Sequence, residues 1–465
     1  MAELAAEAAR LLRMREKDIL SLRLLRRSVD AREEVRLVYT VEVAVKEESA
    51  ILRRARSRKI SRAAQAPAYT PPSPLPAPAV PPVVVGAGPA GLFAALVLAQ
   101  AGLRPILLER GRPGERRKAG VGRFLATGEL DLTSNVQFGE GGAGAFSDGK
   151  LNTGTRDPRH RFILETLLSC GAPEDILIDA KPHVGTDYLH TVLVNLRRRL
   201  LELGTDIRFE SRLADLDIRD GALRGITAEG PEGVYTLPCS HLLLCPGHSA
   251  RDTFAMLHKR GVPMEAKPFA VGVRIEHRQA DCDAAQYRQY AGHPGLPVST
   301  YKLSCHLPGG RAAYSFCVCP GGEVVAAASE AERVVTNGMS YHARDGKNAN
   351  AAVVVSVGAE DFAGDPRRAI AFQRELEAKA YAAGRRGGTY AAPAENVQSF
   401  LEGKGQLNIG RVEPTYDRGV VAADLGALLP GELADTLRAG LRAYERKIAG
   451  YTAPEAILTG LETRT

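Results

Sequence analysis

The sequence lacks the features of a membrane protein or a secreted protein. No apolar run approaches the roughly 20 residues that a membrane span needs, and the longest candidate, Gly91 to Ala101, is predicted to be a buried helix. The N-terminus has no charged region followed by an apolar core and a cleavage site, so no secretory signal is expected. These absences favour a cytoplasmic protein.

Cysteine is also scarce. Seven cysteines in 465 residues do not suggest a disulfide framework, and their odd number favours reduced thiols. No CxxC pair and no Cys/His cluster has the spacing of a zinc site, so no metal is expected. The one close pair, Cys317 and Cys319, shares a face if the segment is a strand. This pair is either a redox or cofactor-facing pair, or two small residues on a buried strand.

Positive charge is concentrated at one end of the chain. Residues 1–65 hold 16 Lys/Arg and 10 Asp/Glu, which accounts for +6 of the formal net charge of +7. The run from Arg53 to Lys59 fits an acidic or nucleic-acid partner, or else the solvated face of a helix. Because it has no interleaved aromatic side chains for stacking on bases, the solvated face is favoured and no nucleic-acid partner is expected.

One motif dominates what the sequence does contain. The apolar run Val83–Val85 leads into Gly86-Ala87-Gly88-Pro89-Ala90-Gly91, an apolar helix follows, and a second apolar strand ends in Glu109, 23 residues after Gly86. This is the dinucleotide-binding pattern: Gly86 allows the tight turn, Gly88 lets the backbone approach a pyrophosphate, and Gly91 lets helix and strand pack closely. An ordinary crossover with a surface glutamate does not explain three glycines at this spacing.

The same motif predicts which groups meet which part of the nucleotide. The helix N-terminus offers free N–H groups and a positive dipole end to the phosphates. Glu109 is placed to bind a ribose hydroxyl, which suits NAD or the adenosine half of FAD and disfavours a 2′-phosphate, although Arg110 follows it directly.

A glycine-dense segment, residues 134–150, is too rich in glycine for a regular helix or strand. Such a segment lets the backbone approach a ligand closely. We predict that it lines the cofactor through Gly141, Gly142, Gly144, Ser147 and Asp148; a mobile surface loop is the alternative.

The pattern along the chain predicts an α/β protein in five segments. Residues 1–65 form a small basic α/β module, and residues 66–82, with eight prolines from position 67 onward, form an extended linker. Residues 83–260 form the first part of the nucleotide-binding domain. Residues 261–390 form a strand-rich substrate domain, and residues 391–465 form an incomplete return toward the nucleotide-binding domain.

Short strands between residues 207 and 237 refine the fold class. A small antiparallel sheet between the crossover helix and a returning strand, His241–Cys245, is typical of FAD-binding Rossmann domains of the glutathione-reductase type. Gly247 after that strand allows close approach to the nucleotide. The one other G-x-G-x-x-G, Gly139–Gly144, lies within the glycine-dense segment and does not follow an apolar strand, so no separate NAD domain is expected.

Eight runs spread over nearly the whole chain carry a family resemblance. They are residues 84–95, 134–150, 181–187, 247–254, 267–277, 316–322, 337–340 and 462–465. These runs resemble the FAD-dependent dehydrogenases known as NAD(FAD)-utilising dehydrogenases. The resemblance implies FAD as cofactor and an oxidoreductase fold, without specifying a substrate. Because similar chains continue past this point into a Gly-rich loop and a final helix, it also implies a C-terminal truncation.

Hydride transfer is the chemistry of the flavin itself, so nearby protein groups position the substrate and tune the ring. The candidates are His183 and His248, which could shuttle a proton, and Arg274, which could stabilise an anionic reduced flavin or hold a carboxylate. For each histidine, a hydrogen-bonded structural role is the alternative.

The expected function is that of an FAD-dependent dehydrogenase or reductase acting on a small organic substrate, with NAD(P)H or a protein as electron partner. Two alternatives stay open. One is a non-catalytic nucleotide-binding protein that docks an acidic partner through residues 1–65. The other is a flavoenzyme that acts on nucleic acid through Arg53–Lys59 and binds it in a salt-sensitive way.

Overall fold

The computed structural model describes most of the chain. The described ranges are residues 1–55, 57–63, 69–155, 157–307 and 310–464. Arg56 of the basic run, residues 66–68 of the predicted linker and Thr465 lie outside them. The chain forms two compact units: the first comprises Met1–Thr70 and Lys150–His183, and the second comprises Pro71–Gly149 and Val184–Thr465.

The regular elements are numbered in chain order. The helices are α1 (Ala2–Leu12), α2 (Glu48–Arg54), α3 (Pro89–Gln100), α4 (Gly114–Thr127), α5 (Arg159–Ser169), α6 (Thr186–Glu202), α7 (Arg251–Lys259), α8 (Gln279–Tyr287), α9 (Pro366–Gly384), α10 (Val397–Glu402), α11 (Leu425–Leu428) and α12 (Gly431–Glu445). Short 3-10 helices span Glu16–Asp18, Gly142–Phe146, Glu174–Leu177, Arg288–Tyr290, Glu360–Phe362 and Arg385–Gly387. The strands are β1 (Ile19–Asp30), β2 (Arg36–Val45), β3 (Val83–Val85), β4 (Ile106–Leu108), β5 (Asp206–Arg208), β6 (Arg212–Arg219), β7 (Ala222–Gly230), β8 (Gly233–Pro238), β9 (Leu242–Leu244), β10 (Phe269–Arg278), β11 (Ser304–His306), β12 (Ala312–Cys319), β13 (Glu323–Ala326), β14 (Thr336–Met339), β15 (Asn348–Val357), β16 (Ala392–Asn396), β17 (Val420–Ala422) and β18 (Ile457–Glu462).

The first unit is built on an antiparallel hairpin of β1 and β2. Apolar residues alternate along β2, as the pattern of a strand requires, since successive side chains of a strand point to opposite faces. The segment 150–183, which the sequence pattern assigned to the nucleotide-binding domain, belongs to this unit. The Arg27 N–H in β1 donates to the Ile178 carbonyl at 2.8 Å, and the Ala180 N–H donates back to the Arg27 carbonyl at 2.9 Å. The Arg27 guanidinium also pairs with Asp179.

The second unit contains the nucleotide-binding pattern. Its four-stranded parallel sheet has the order β5-β4-β3-β9, and an antiparallel sheet β6-β7-β8 accompanies it. Apolar residues of both sheets share one core, in which Val83, Val85 and Leu108 are buried with Leu213 and Ile226. Because parallel strands end at the same edge, the residues after β3, β4 and β9 meet there.

The second unit also contains a two-stranded sheet β13-β14 and a seven-stranded sheet of order β11-β12-β15-β10-β18-β16-β17. Its core combines strand residues such as Val273 and Val353 with Leu376 of α9 and Leu437 of α12. Residues 391–464, expected as a return toward the nucleotide-binding domain, place β16, β17 and β18 in this sheet instead. Strand β18 pairs with β10 on one side and with β16 on the other.

The glycine-dense segment departs from expectation at one place. It was predicted to hold no regular helix, yet Gly142–Phe146 forms a 3-10 helix. Gly141 and Gly142 adopt φ of 84° and 59° on entering it. Short 3-10 turns need little commitment of the backbone, which is why a glycine-rich run accommodates one.

Candidate functional site

The turn between β3 and α3 has the geometry that its glycines allow. Gly86 adopts φ of 99°, and a Cβ there would lie 2.3 Å from the Cys245 carbonyl oxygen at the end of β9. At Gly91, a Cβ would lie 1.8 Å from the Gly86 carbonyl oxygen. The turn therefore packs backbone against backbone, and α3 begins at Pro89 with its first N–H groups at the open edge of the sheet.

A cavity of about 490 Å³ lies at this edge and is called the first cavity here. Its lining combines glycines of the G-x-G-x-x-G turn and of the glycine-dense segment with larger side chains such as Phe138, Arg212 and Phe254. Of the predicted site residues it contains Gly86, Gly88, Pro89, Ala90, Glu109, Arg110, Gly142, Gly144, Gly247 and His248. Ala87, Gly91 and Gly141 are not among its lining residues; they hold its walls from behind.

Glu109 is buried and connects two parts of the wall. Its Oε2 accepts the Ala87 N–H at 2.7 Å, and its Oε1 accepts the N–H groups of Gly111 and Gly139 at 2.8 and 3.0 Å. A carboxylate offers about four acceptor positions, so about one is left for a ligand hydroxyl. The sequence predicted the ribose contact but not the structural role that accompanies it.

Arg110 also lines the first cavity, and its guanidinium is committed to protein groups. It donates to Asp252 Oδ1 at 2.9 Å and to Thr253 Oγ1 at 3.0 Å. It also lies over the ring of Phe138, 4.3 Å from the centroid. Asp252 neutralises its charge, which reduces the attraction that a 2′-phosphate would find here.

A second cavity of about 210 Å³ continues from the first. The two cavities share Gln137, Ala143, Gly144 and His248. The remaining lining residues of the second cavity come from one residue of the glycine-dense segment and from the C-terminal half of the chain. They are Ser147, Phe316, Cys317, Val335, Thr336, Asn337, Glu462 and Arg464.

His248 stands where the cavities join. Its Nδ1 lies 2.8 Å from the Ser249 hydroxyl. Burial, together with the positive charges of Arg464 and Arg251, lowers the pKa of His248 to about 4. The ring is therefore neutral at physiological pH, and a neutral imidazole can accept a proton or a hydrogen bond.

A buried ion cluster supports the wall behind His248. The Glu377 carboxylate accepts Arg251 at 2.8 and 2.9 Å and Arg464 at 2.9 and 3.0 Å. Arg464 also donates to the hydroxyls of Ser249 and Ser329. Burial opposes ionisation of Glu377, but the guanidinium groups of Arg464 and Arg251 lower its pKa to about 2. The cluster thus holds a fixed negative charge between two cations.

Arg274, predicted to lie near the flavin ring, is fully buried and lines neither cavity. Its Nε donates to Glu462 at 2.7 Å, and its Nη1 donates to Asn350 Oδ1 at 2.7 Å. Burial opposes the charge of Arg274, but Glu462 and the nearby thiols raise its pKa. Through Glu462, which does line the second cavity, Arg274 acts as a positioning residue.

Two further predicted site residues, Asp148 and His183, line neither cavity. Asp148 is buried and accepts Arg344 at 2.5 and 3.0 Å, as well as the Ser340 hydroxyl. His183 belongs to the first unit, where it forms an isolated bridge with Lys150. It is not a lining residue of either cavity among the described residues.

The sequence reasoning missed Gln137, Ser249 and Arg464 as site residues. Ser249 donates to Gln137 at 3.3 Å and accepts Arg464 at 2.8 Å. Gln137 and Ser249 fall within runs of the family resemblance, and Arg464 falls in another. Their signal was present, but nothing local in the sequence showed that these runs converge.

The residues present fit a dinucleotide. Gly88 and Gly142 face each other, and a Cβ on Gly142 would lie 3.1 Å from the Gly88 Cα. The space between the G-x-G-x-x-G turn and the glycine-dense segment is thus bounded by bare backbone at this point, as the close approach of a pyrophosphate requires. Within the described residues, no cluster of His, Cys, Asp and Glu is arranged to hold a metal. Nor does that part of the chain contain a helix long and apolar enough to span a membrane.

Comparison with known families agrees with this geometry. Residues 79–127 match an FAD binding domain, and residues 268–465 match the family described as "FAD-dependent protein, C-terminal domain-like". Residues 1–46 match a domain of unknown function, DUF8436. An uncharacterized protein of Clostridium beijerinckii is 44% identical over 458 residues, which cover 98% of this chain and 85% of that protein.

The chain belongs to this FAD-dependent family. It is an FAD-dependent oxidoreductase with a mixed α/β fold and an FAD-binding domain. The comparisons show this FAD-dependent family and not specifically dehydrogenases. They support neither the expected C-terminal truncation nor the non-catalytic alternative.

More distant relatives are similar over part of the chain. The 12-dehydrotetracycline 5-monooxygenase/anhydrotetracycline 6-monooxygenase of Streptomyces rimosus is 31% identical over 175 residues, which cover 36% of this chain and 30% of that enzyme. Among solved structures, OxyS anhydrotetracycline hydroxylase from Streptomyces rimosus aligns at 20% identity and a TM-score of 0.27, over 60% of this chain and 47% of that one. CtdE in complex with FAD aligns at 11% identity and a TM-score of 0.30, over 82% and 71%.

Proposed function

We propose that the protein holds the adenosine and pyrophosphate of FAD in the first cavity and the flavin ring in the second, in the manner of a glutathione-reductase-type domain. We propose further that it oxidises or reduces a small organic substrate by hydride transfer. The observation that carries this is the junction of the two cavities at Gln137, Ala143, Gly144 and His248. When bound, the flavin supplies the two-electron chemistry.

The residues of the chain would bind and orient the cofactor. The first turn of α3 would bind the pyrophosphate through backbone N–H groups, and Glu109 would accept a ribose hydroxyl in its remaining position. Gly144 and Ser147 would lie beside the ring. Neutral His248 would accept a proton or a hydrogen bond at the junction, since its pKa of about 4 keeps it uncharged.

Arg464, the arginine that lines the second cavity, would favour a reduced, anionic ring. Arg464 lines this cavity and donates to Ser249 and Ser329. Glu462 also lines this cavity, and its negative charge is balanced by Arg274 behind the wall. A positively charged group near a ring that gains negative charge stabilises the reduced state.

The first experiment is the visible absorbance spectrum of the purified protein, before and after titration with FAD and, in parallel, with FMN. FMN lacks the adenosine half that the first cavity would grip. We expect a bound-flavin spectrum with FAD and at least a tenfold weaker uptake of FMN, because the interactions of the adenosine half are lost. Equal uptake of both flavins, or of neither, would contradict the proposal.

A monooxygenase is the second candidate, because the Streptomyces rimosus relative that matches part of the chain carries that name. The two candidates differ in what the reduced enzyme does with oxygen. Anaerobic bleaching by NADH or NADPH, followed by substrate turnover without oxygen, supports the dehydrogenase. Turnover that requires oxygen and places an oxygen atom in the product supports the monooxygenase.

A further inference from the structure

Cys317 lines the second cavity, and Cys319 follows it two residues later in a segment of unusual local conformation. Strand β12 pairs with β15 from Ala313 to Phe316, and the pairing resumes at Cys319. Three steps along β12 match two steps along β15, which defines a β-bulge. Cys317 in this bulge adopts φ of 45°, a left-handed conformation that a residue with a side chain seldom adopts and that is often found at functional sites.

The bulge brings the two sulfur atoms together. In a flat strand, residues two apart are separated by two residue rises of roughly 3.3 Å each, whereas the Sγ atoms here are 3.9 Å apart. A disulfide needs roughly 2 Å between the sulfur atoms, so the two Sγ atoms must approach each other by about 2 Å for the bond to form. Cys317 is half-buried and lines the second cavity, and Cys319 is buried beneath it.

The surroundings of the pair favour sulfur chemistry. The Arg274 guanidinium donates to the Cys317 carbonyl at 3.3 and 3.4 Å, and its Nη1 lies 4.0 Å from Cys319 Sγ. A cation beside a thiol favours the thiolate, the form that reacts in thiol–disulfide chemistry.

We propose that Cys317 and Cys319 form a redox-active pair that exchanges two electrons with the FAD of this enzyme. On oxidation, the two S–H bonds break and one S–S bond forms. The two electrons and one of the two protons released pass to oxidised FAD, which becomes the reduced, anionic flavin, and the other proton passes to solvent; the reverse step reopens the disulfide. This inference rests on the proposed placement of the flavin ring in the second cavity.

An anaerobic reductive titration of the FAD-loaded protein tests the exchange. After mild oxidation, the wild type should take up twice as many electrons per FAD as Cys317→Ser or Cys319→Ser, because the disulfide accepts one pair and the flavin the other. The control variant is Cys305→Ser, because Cys305 is a half-buried thiol on strand β11 of the same sheet. This variant should take up as many electrons as the wild type. An uptake in the wild type equal to that of Cys317→Ser would overturn the proposal.

Thiol counting gives a readout that does not depend on the flavin. In the oxidised wild-type protein, we expect two fewer reactive thiols under denaturing conditions than in the reduced protein, and a peptide containing residues 317–319 lighter by two hydrogens. The apoprotein equilibrated in glutathione redox buffers should show the same loss. A disulfide found elsewhere, or none, rejects the pair. Failure of FAD uptake with an intact 317–319 disulfide rejects the exchange with FAD and the proposed function, not the pair as a thiol switch.

Discussion

The two cavities are built in different ways. One wall of the first is bare backbone, at Gly86, Gly88 and Gly142, whose lack of side chains keeps the space open. The second is walled by side chains such as Cys317, Glu462 and Arg464, which come from distant parts of the chain. A backbone wall appears in the sequence as glycine spacing, whereas a wall of side chains appears only once the fold is known.

The largest effect is expected where the side-chain wall depends on its ion cluster. Glu377→Gln leaves Arg251 and Arg464 without their shared carboxylate, and breaking a buried ion pair costs about 3–5 kcal/mol. We expect a loss of that size in the free energy of unfolding, measured by urea denaturation. The matched control on the same helix is Glu375→Gln, whose partner Lys379 is exposed; it should change stability by less than about 1 kcal/mol.

Acid should weaken the same wall. The pKa of Glu377 falls from 4.5 to about 2 on folding, so its contribution is complete above pH 4.5 and is lost as the pH falls toward 2. The shift corresponds to roughly 3 kcal/mol. Denaturation of the wild type at a series of pH values should show this decline, and Glu377→Gln should show a correspondingly flatter profile. An identical slope in both proteins would refute the assignment.

The backbone wall should be sensitive to a single added carbon. In Gly86→Ala, the methyl group would meet the Cys245 carbonyl in a left-handed conformation, and such strain costs roughly 1–3 kcal/mol. We expect FAD affinity to fall at least tenfold, as measured by absorbance titration. Gly122→Ala, in the middle of α4 where a Cβ meets nothing within 4 Å, should bind FAD normally and be slightly more stable.

The smallest effect on binding is expected at the junction. His248→Asn keeps a polar side chain and should change FAD affinity by less than about tenfold, since the imidazole is already neutral. The rate of flavin reduction should change more than the affinity. Its pH profile in the wild type should be free of a His248 step between pH 5 and 8, because the pKa of His248 is about 4. A histidine step in that range, absent from His248→Asn, would contradict this.

Local patterns in the sequence predict the turn between β3 and α3 and the strand that follows, and the reason is physical. The turn at Gly86, the start of α3 at Pro89 and the position of Glu109 depend on neighbours within about one crossover unit. The start of β15 is harder to predict from the local sequence, because Asn348 and Asn350 interrupt its apolar pattern. Both are buried and bonded, Asn348 to Glu276 and Asn350 to Arg274, so their polarity concealed a central strand.

Contacts between distant residues could not be predicted. Glu377 meets Arg251 across 126 residues and Arg464 across 87 residues, and no spacing rule links them. The left-handed Cys317 is equally hidden, since a strand pattern predicts regular pairing at that position. Arg274 was a predicted site residue, but the sequence could not show that it would lie behind the wall.

The ends of the segment 150–183 meet within the second unit. The Val184 N–H donates to the Gly149 carbonyl at 3.0 Å, and the Gly185 N–H donates to the Asp148 carbonyl at 3.2 Å. The chain therefore leaves that unit and returns through adjacent points, as an inserted loop does. Removing residues 1–70 alone would remove strand β1, and Ile178 and Ala180 would lose their backbone hydrogen bonds to Arg27. A clean excision would take both pieces and rejoin the chain from Gly149 to Val184 with a short turn.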